Sequence, residues 1–413
     1  MRTPPAVLVS GAGVAGPVLA HQLVRLGFAP VVVERAPAPH AGPGGFGVDL
    51  FGPGVEVMER LGVLDRVREA ATGNTRMRLV RPGGRPLDLD LGALAQEAST
   101  DRHVEVMRGD LASILYAATR DDVEYVFGDS VEGVAQTPHG LEVSFERGAP
   151  RVFDLMAGAD GLHSATRRLV FGPEARYRRF LGGHVAVFGL PEPRGFDGRV
   201  VLYRSAGRTA AVFPVRGTGR ARGALLFRGE QEFAGDHRDT EAQRRFLRAA
   251  FAGEGWEVPR LLDAADSADD LYFDSISQIR MESWTRGRVA LVGDAGYAPG
   301  PAVGGGTTVA AVGAYTLAHR LGRASGDHLA AFPGYEEDIG GYVRRSREVG
   351  PRSLRTLVPG SRWEAALGFG AMWLLPRLPR TLLRAAANAD SRAARVLSSI
   401  GLPEPVPGPG PCR

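Results

Sequence analysis

The opening residues alternate between two hydrophobic periods. Val7–Leu8–Val9 is a short apolar run rich in β-branched residues, and Leu19, Leu23 and Leu26 then recur at helical spacing. Gly27 supplies a helix stop, and Val31–Val32–Val33 forms a second apolar run. The pattern predicts strand, glycine turn, helix and strand. Pro17 is tolerated because N–H groups in a helix's first turn lack helical partners.

Further along, the spacing predicts a short helix over Val55–Leu61 and strands over Val123–Phe127, Leu141–Phe145 and Arg151–Met156. Residues 180–230 change character. There "HVAVFGL", "GRVVLYRSAGRTAAVFPV" and "GALLFRG" read as successive antiparallel strands, a sheet distinct from the first unit. Thr240–Phe251 reads as helix. A parallel-type strand at Val289–Val292 precedes "GDAG", and a long helix runs from about Thr307 to Arg320. Residues 350–404 are helix-rich, with Leu354, Leu357, Trp363, Leu367, Trp373 and Leu374 expected to be buried.

Composition narrows the function classes. The chain has 413 residues, room for two domains, with 44% hydrophobic and 23% charged residues. No basic leader with an apolar core precedes the first strand, so a cytoplasmic protein is expected. The apolar stretch Ala365–Pro376 is too short to span a bilayer, which takes about 20 residues, and packing between domains is its expected use over a membrane surface. The single cysteine, Cys412, rules out an intrachain disulfide or a Cys-based redox pair. The nine histidines lack ligand spacing, so no metal is expected. All 50 basic residues are arginine, interleaved with 46 acids. The resulting pI near 9.5 therefore reflects arginine chemistry and not a basic face, and nucleic acid is not an expected partner.

Three motifs carry chemistry. "GAGVAG" at residues 11–16 follows the first strand. Gly11 permits a tight turn, Gly13 admits a pyrophosphate beside the backbone, and Gly16 allows close helix–strand packing. Glu34 ends the second strand at the spacing of a ribose-binding acid, which favours FAD or NAD over NADP. The second motif is "GADGLHSATRR" (158–168), and the third is "GRVALVGDAGYAPGPAVGGGTTVAAVGAYTLAHRL" (287–321). Asp294 at a strand end can accept a hydrogen bond, Gly304, Gly305 and Gly306 let the chain pass close to a flat ring, and the following helix presents its N–H groups and positive end to developing negative charge.

In this order and spacing the motifs resemble the single-component FAD monooxygenases of the para-hydroxybenzoate hydroxylase-like family, over roughly residues 5–345. The "GTT…GAYTLA" variant resembles a subgroup of tetracycline-modifying and natural-product-tailoring oxygenases. The resemblance implies an α/β fold: a Rossmann-like FAD-binding domain with βαβ units and a mostly parallel sheet, an inserted antiparallel-sheet substrate domain, and a C-terminal helical region. Expected boundaries are 1–72, 99–179 and 271–345 for the FAD-binding domain, and 73–98 and 180–270 for the substrate domain. The helical region takes 346–404, with a disordered tail over 405–413. Implied cofactor contacts are Gly11, Gly13, Ala15, Gly16, Glu34, Arg35, Arg108, Val131, Asp160, Asp294, Gly304, Gly306, Thr307 and Thr308. Arg167 matches the family's basic residue after the DG aspartate, with a structural ion pair as its competing reading.

The implied reaction consumes NAD(P)H and O2. A C4a-hydroperoxyflavin then hydroxylates an aromatic or polyketide-like small molecule, or inserts oxygen beside a ketone. Candidate substrate contacts are Tyr203, Phe213, Phe227 and Pro301, with Tyr272 and Phe273 on neighbouring strands; core packing is the competing reading for these aromatics. The chain departs from the family pattern in four places. Tyr297 stands where many members have histidine, Thr308 where they have asparagine, and Gly313 where they have aspartate. Gly42, before Gly44–Gly45, stands where the subgroup has arginine, and His40 is the only nearby substitute. The altered loops at Gly42 and Thr307–Thr308 keep alive a non-redox cyclase or scaffold on the same fold. A dithiol flavoenzyme lacks its cysteines, a halogenase lacks its W-x-W, and a plain dehydrogenase leaves Asp160 and Asp294 unused. Oligomeric state is not encoded in any motif.

Overall fold

Apolar, largely β-branched runs buried on both faces make parallel strands, and the amino-terminal unit is built from two of them. In the computed structural model, which describes residues 4–39, 45–90, 103–190, 196, 198–301, 305–378 and 392–407, β1 (Ala6–Ser10) leads through the glycine turn into α1 (Ala15–Arg25) and returns as β2 (Ala29–Glu34). Gly27 sits just past the helix at φ +82°, the left-handed stop that the sequence predicts. Next come β3 (Gly47–Leu50), α2 (Gly52–Arg60), α3 (Leu64–Glu69), β4 (Arg76–Val80), β5 (Leu87–Asp90), β6 (Val104–Met107) and α4 (Arg108–Ala117). The middle of the chain gives β7 (Glu124–Phe127), β8 (Val131–Thr137), β9 (Gly140–Phe145), β10 (Arg151–Phe153), β11 (Leu155–Gly158) and α5 (Ala165–Phe171).

The second half supplies β12 (Arg178–Leu190), β13 (Val200–Ser205), β14 (Arg208–Val215), β15 (Arg220–Arg228), α6 (Thr240–Ala250), α7 (Val258–Ser267) and β16 (Tyr272–Ile279). Then follow β17 (Thr285–Arg286), β18 (Val289–Leu291), α8 (Asp294–Tyr297), α9 (Gly306–Arg323), α10 (His328–Leu357), α11 (Arg362–Leu374) and α12 (Arg392–Leu397).

Two sheets organise these elements. The first runs β17-β18-β11-β1-β2-β7, parallel except where β17 folds back on β18. The second runs β16-β12-β15-β14-β13-β4-β5; it is antiparallel apart from the β13–β4 pair, which joins 76–80 to the later strands. The mixed α/β fold with its separate antiparallel sheet and helical carboxyl end is therefore the one expected. The stretch Arg151–Met156, expected as one strand, is two. Asp154 turns the corner, its carboxylate accepting from Ala6 N at 2.7 Å while its own N–H donates to Ala6 O at 2.9 Å. β10 then joins a three-stranded sheet with β9 and β8, and β11 enters the parallel sheet.

The carboxyl end differs from expectation too. α10 runs unbroken through 346, the expected start of the helical region. Leu354 is buried, and Leu357 lines a cavity described below. Trp363, Leu367, Trp373 and Leu374 are exposed, because α11 contributes no buried residue to the core. Of the expected disordered tail, 405–407 are described, and Pro405 and Val406 line a small cleft with Arg60 and Tyr315. Among the described residues no helix is long and apolar enough to cross a membrane.

Candidate active site

The three glycine motifs lie at the carboxyl ends of β1, β11 and β18, which are neighbours in the parallel sheet. They also touch. Ala159 N donates to Ser10 O at 2.8 Å, and Val292 N donates to Gly158 O at 2.8 Å. Gly11, at φ +108°, leaves no room for a side chain, since a Cβ there would fall 2.5 Å from Ala159 O. A Cβ on Gly293 would meet Ala310 at 3.1 Å and Ala15 at 3.4 Å, so the helices of the first and third motifs cross at glycine and alanine. The α/β principle that ligands bind outside the carboxyl ends of strands places the site on this face.

The first and third motifs present free polar groups there. α1 and α9 carry no acid in the first turn and no side-chain cap, so their N–H groups are available to an anion. Arg108 opens α4 with its guanidinium 3.9 Å from the Cβ position of Gly13 and 5.9 Å from the Phe46 ring centre. Asp294 is reached by solvent and has no hydrogen-bond partner among the described residues. Its pKa is pushed up by the protein packed around it, a trend that Arg108 opposes and Asp274 reinforces. The donor set fits a flavin dinucleotide: bare helix ends and Arg108 for the pyrophosphate, and an unpaired carboxylate for ribityl hydroxyls.

Other expected contacts are braces. Glu34 accepts from Ala12 N and Ala36 N, each at 2.8 Å, and so holds the glycine turn against β2. Arg35 is exposed beyond the strand end, and Val131 is buried between the parallel sheet and the β8–β10 sheet. Asp160 accepts from Ser164 Oγ at 2.5 Å and from Thr166 N and Oγ1 at 2.8 and 2.9 Å, fixing the start of α5. Thr307 lies in the first turn of α9, and Gly306 is within 3.8 Å of Asp294, measured from its Cβ position to Oδ1. Thr308 is buried; its Oγ1 accepts from Phe51 N at 2.9 Å and donates to Asp49 O at 3.2 Å, tying α9 to β3 and α2. Gly304, His40, Gly42 and Gly44 lie outside the described residues.

Arg167 joins the second motif to the third. It is fully buried and donates to Ala295 O at 2.8 Å, Leu162 O at 2.7 Å and Glu174 at 2.7 Å. Burial pulls its pKa down, with Glu174 and Asp160 pulling the other way. Tyr297 and Gly313 form a matched pair. A Cβ on Gly313 would lie 1.9 Å from Tyr297 Oη, and that hydroxyl bonds Tyr335 Oη at 2.9 Å. The glycine makes the space that the tyrosine fills.

Beside Phe46 a cavity of about 330 Å³ opens against the second sheet. Strand alternation decides which residues reach it. Val200, Leu202 and Arg204 of β13, with Thr209, Ala211 and Phe213 of β14, face inward. Tyr203, Phe227 and Phe273 point the other way into the cluster beneath α6 and α7. Of the expected substrate residues, Phe213 lines the cavity and Tyr203 and Phe227 do not; Tyr272 does, packed on Phe46 at 5.5 Å between ring centres. Pro301 is half-buried in the turn before α9. Sequence reasoning passed over Phe46, Glu105, Asn74 and Arg204. Arg204 carries no signal that separates it from the other arginines.

Behind Tyr272 runs a charged network. Its hydroxyl donates to Asp274 at 3.3 Å; Asp274 bonds His163 at 3.2 Å, and His163 bonds Glu174 at 3.0 Å. Burial opposes the His163 charge, but the two carboxylates outweigh it and raise the pKa to about 9. Folding thus favours protonated His163. That stabilisation is complete below the ordinary histidine pKa of about 6.5 and is lost as pH rises through about 9. Urea unfolding at pH 7 and pH 10 is expected to show a loss on the order of 2 kcal/mol in the parent that His163→Asn lacks. An equal loss in both proteins would remove His163 as its source.

Known proteins resemble this chain in sequence and fold. A family model described as an FAD binding domain matches residues 5–328. An uncharacterized protein of Mycobacterium tuberculosis is 42% identical over 342 residues, covering 83% of this chain and 91% of that one. A flavin-dependent monooxygenase of an unknown prokaryotic organism is 37% identical over 344 residues, covering 83% and 88% respectively. The crystal structure of tetracycline destructase Tet(55) superposes with a TM-score of 0.80 at 31% identity, covering 98% of this chain and 100% of that one.

Proposed function

Because the chain belongs to the FAD binding domain family and is a flavoprotein monooxygenase, we propose that it uses NAD(P)H and O2 to oxygenate an aromatic or polyketide-like small molecule in the cavity beside Phe46. One observation carries this reading. Arg108 reaches Gly13 on one side and the Phe46 ring on the other, so the dinucleotide turn and the apolar cavity share a border. The polycyclic substrate named for the tetracycline destructase supports a ligand of several fused rings, and a cavity of about 330 Å³ lies within the range of small-molecule sites.

In this reading Gly11, Gly13, Ala15, Gly16 and Arg108 hold the pyrophosphate half, with Glu34 beside the adenosine ribose. Asp294, Gly306 and Thr307 hold the flavin half, and the positive end of α9 stabilises charge that develops there on reduction. Bound FAD supplies hydride acceptance and oxygen activation. The protein's share is to orient the substrate ring and exclude water. The largely apolar walls Val185, Val187, Leu202 and Leu226 do that. Hydroxylation of a phenol or enol and insertion beside a ketone are both compatible with this arrangement.

The test follows absorbance and oxygen together. Purified protein is expected to be yellow and to release FAD on denaturation. NAD(P)H oxidation should accelerate on adding a polycyclic phenol, with matching O2 uptake and a product heavier by one oxygen atom. Bound FAD that no nicotinamide reduces, or oxidation indifferent to every phenol and ketone tried, would overturn the proposal.

A further inference from the structure

Among the described residues, seven large apolar side chains are exposed, and four of them share α11. Trp363 is 80% exposed, Leu367 72%, and Trp373 and Leu374 48% each. Helical spacing puts Trp363, Leu367, Gly370 and Leu374 along one line, with Ala366 and Trp373 beside it. All six are exposed. Ala365, Gly368, Phe369 and Met372 form the other, half-buried face. α11 packs on β13, and Arg81 of the β4–β5 turn covers the Phe369 ring at 4.3 Å. The helix is held on one side and bare on the other.

Its own ends hold it in shape. Ser361 Oγ accepts from Glu364 N at 3.2 Å, and Glu364 accepts from Gly360 N at 2.7 Å, which closes the first turn. That glutamate is the only acid in α11. Arginine frames the rest. Arg362 and Arg377 are exposed at the two ends, and Arg377 lies over the Trp373 ring at 4.0 Å. Residues 352–395 carry eight arginines against two acids, whereas the whole chain sets 50 basic residues against 46 acids. The bare face therefore lies in a cationic stretch of an otherwise nearly balanced chain.

An exposed apolar patch of this kind marks a binding surface. We propose that α11 lies flat on a bilayer rich in anionic lipid, with its two tryptophans at headgroup level and its flanking arginines on lipid phosphate. Its 13 residues extend about 20 Å, enough to rest on a membrane and too few to cross one. Tryptophan suits that depth because its ring is apolar and its N–H polar, and arginine reaches water along an apolar stem. A second copy of the chain fits less well. Four side chains on one helix fall short of the about 800 Å² per partner that a stable dimer takes, and two arginine-rich faces repel. Since β13 is also a wall strand of the cavity, docking sets that wall near the lipid phase.

Co-sedimentation of the FAD-loaded protein with vesicles tests the proposal. One vesicle is phosphatidylcholine alone, and the other an equal mixture of phosphatidylcholine and phosphatidylglycerol. At about 50 mM salt the parent is expected to bind the mixed vesicles about tenfold more tightly, and to lose most of that preference at about 500 mM. Trp363→Gln combined with Leu367→Gln should weaken binding to the mixed vesicles about tenfold or more, with FAD content and urea midpoint unchanged. Arg362→Gln combined with Arg377→Gln should reduce the preference for the anionic vesicle. Tryptophan emission should move to shorter wavelength on binding. Trp284 is already buried and Trp256 is stacked on Tyr203, so the shift reports on Trp363 and Trp373. Equal binding to both vesicles, no binding to either, or parent-like binding by the Trp363→Gln, Leu367→Gln protein overturns the proposal. Self-association without lipid that the same variant loses also overturns it, and gives the face to a second copy. No turnover enters the readout, so a failure of the proposed oxygenation leaves this result standing.

Discussion

Alanine at Gly13 is expected to give a protein that unfolds at the same urea concentration as the parent without cofactor, yet holds FAD roughly tenfold more weakly or worse. Alanine at Gly16 should give one that loses both. The two glycines belong to one hexapeptide but answer to different constraints. A Cβ on Gly13 meets nothing nearer than the Arg108 guanidinium at 3.9 Å, so the folded chain accommodates it. The same methyl group stands where a pyrophosphate must approach the first turn of α1, and it keeps the phosphates away from the N–H groups. At Gly16 the Cβ would lie 1.9 Å from Gly11 O, a backbone atom whose residue is itself wedged against Ala159. Relief requires moving α1 or the turn, at a cost of about 3 kcal/mol by analogy with overpacked cores. Flavin-to-protein absorbance ratios and urea midpoints of the stripped proteins separate the two effects. A Gly13→Ala protein that stays fully yellow through dialysis would remove the pyrophosphate from this turn.

Much of this was legible in the chain. Each motif pairs a β-branched or apolar run with glycine and an acid, and the physical demand for such a turn is local, so the three could be read one at a time. That they meet could not be read locally; it follows from the strand order β18-β11-β1, set by contacts distant in sequence. Faces of the second sheet were harder. Tyr203 and Leu202 are equally plausible cavity residues in a run such as "VVLYRS", and a shift of one residue exchanges them. The outer face also lies buried, under α6 and α7, so burial removes the polar alternation that would have marked the inside. The competing reading of Arg167 as a structural ion pair has its partner in Glu174, seven residues on, and not in the motif's own aspartate. α11 shows the opposite failure: its apolar residues looked like core, yet Trp363 is 80% exposed.

Adding a methyl group at Gly313 is expected to destabilise the protein by about 2 kcal/mol or more, although helix propensity alone would make it stabilising. Gly313 lies inside α9, where alanine is favoured over glycine by about 1 kcal/mol. Against that gain stands a Cβ only 1.9 Å from the Tyr297 hydroxyl, in a fully buried site where the tyrosine is packed edge-on against Trp284, with ring centres 5.0 Å apart. The hydroxyl has nowhere to retreat, because it bonds Tyr335, which in turn donates to Leu291 O at 3.0 Å. Tyr297→Phe alone removes one hydrogen bond and is expected to cost about 1 kcal/mol. The double variant should be more stable than Gly313→Ala by itself, because removing the hydroxyl leaves ring carbon as the nearest atom, at 3.0 Å. A double-mutant cycle by urea unfolding therefore predicts a favourable coupling of about 1 kcal/mol or more. Additive effects would mean that α8 and α9 move apart independently of this contact. Coupling of the expected sign makes the two departures from the family pattern a single substitution in physical terms: the tyrosine ring takes the room, and position 313 gives up its side chain so that Asp294, at the head of the same short helix, keeps its place beside Gly306.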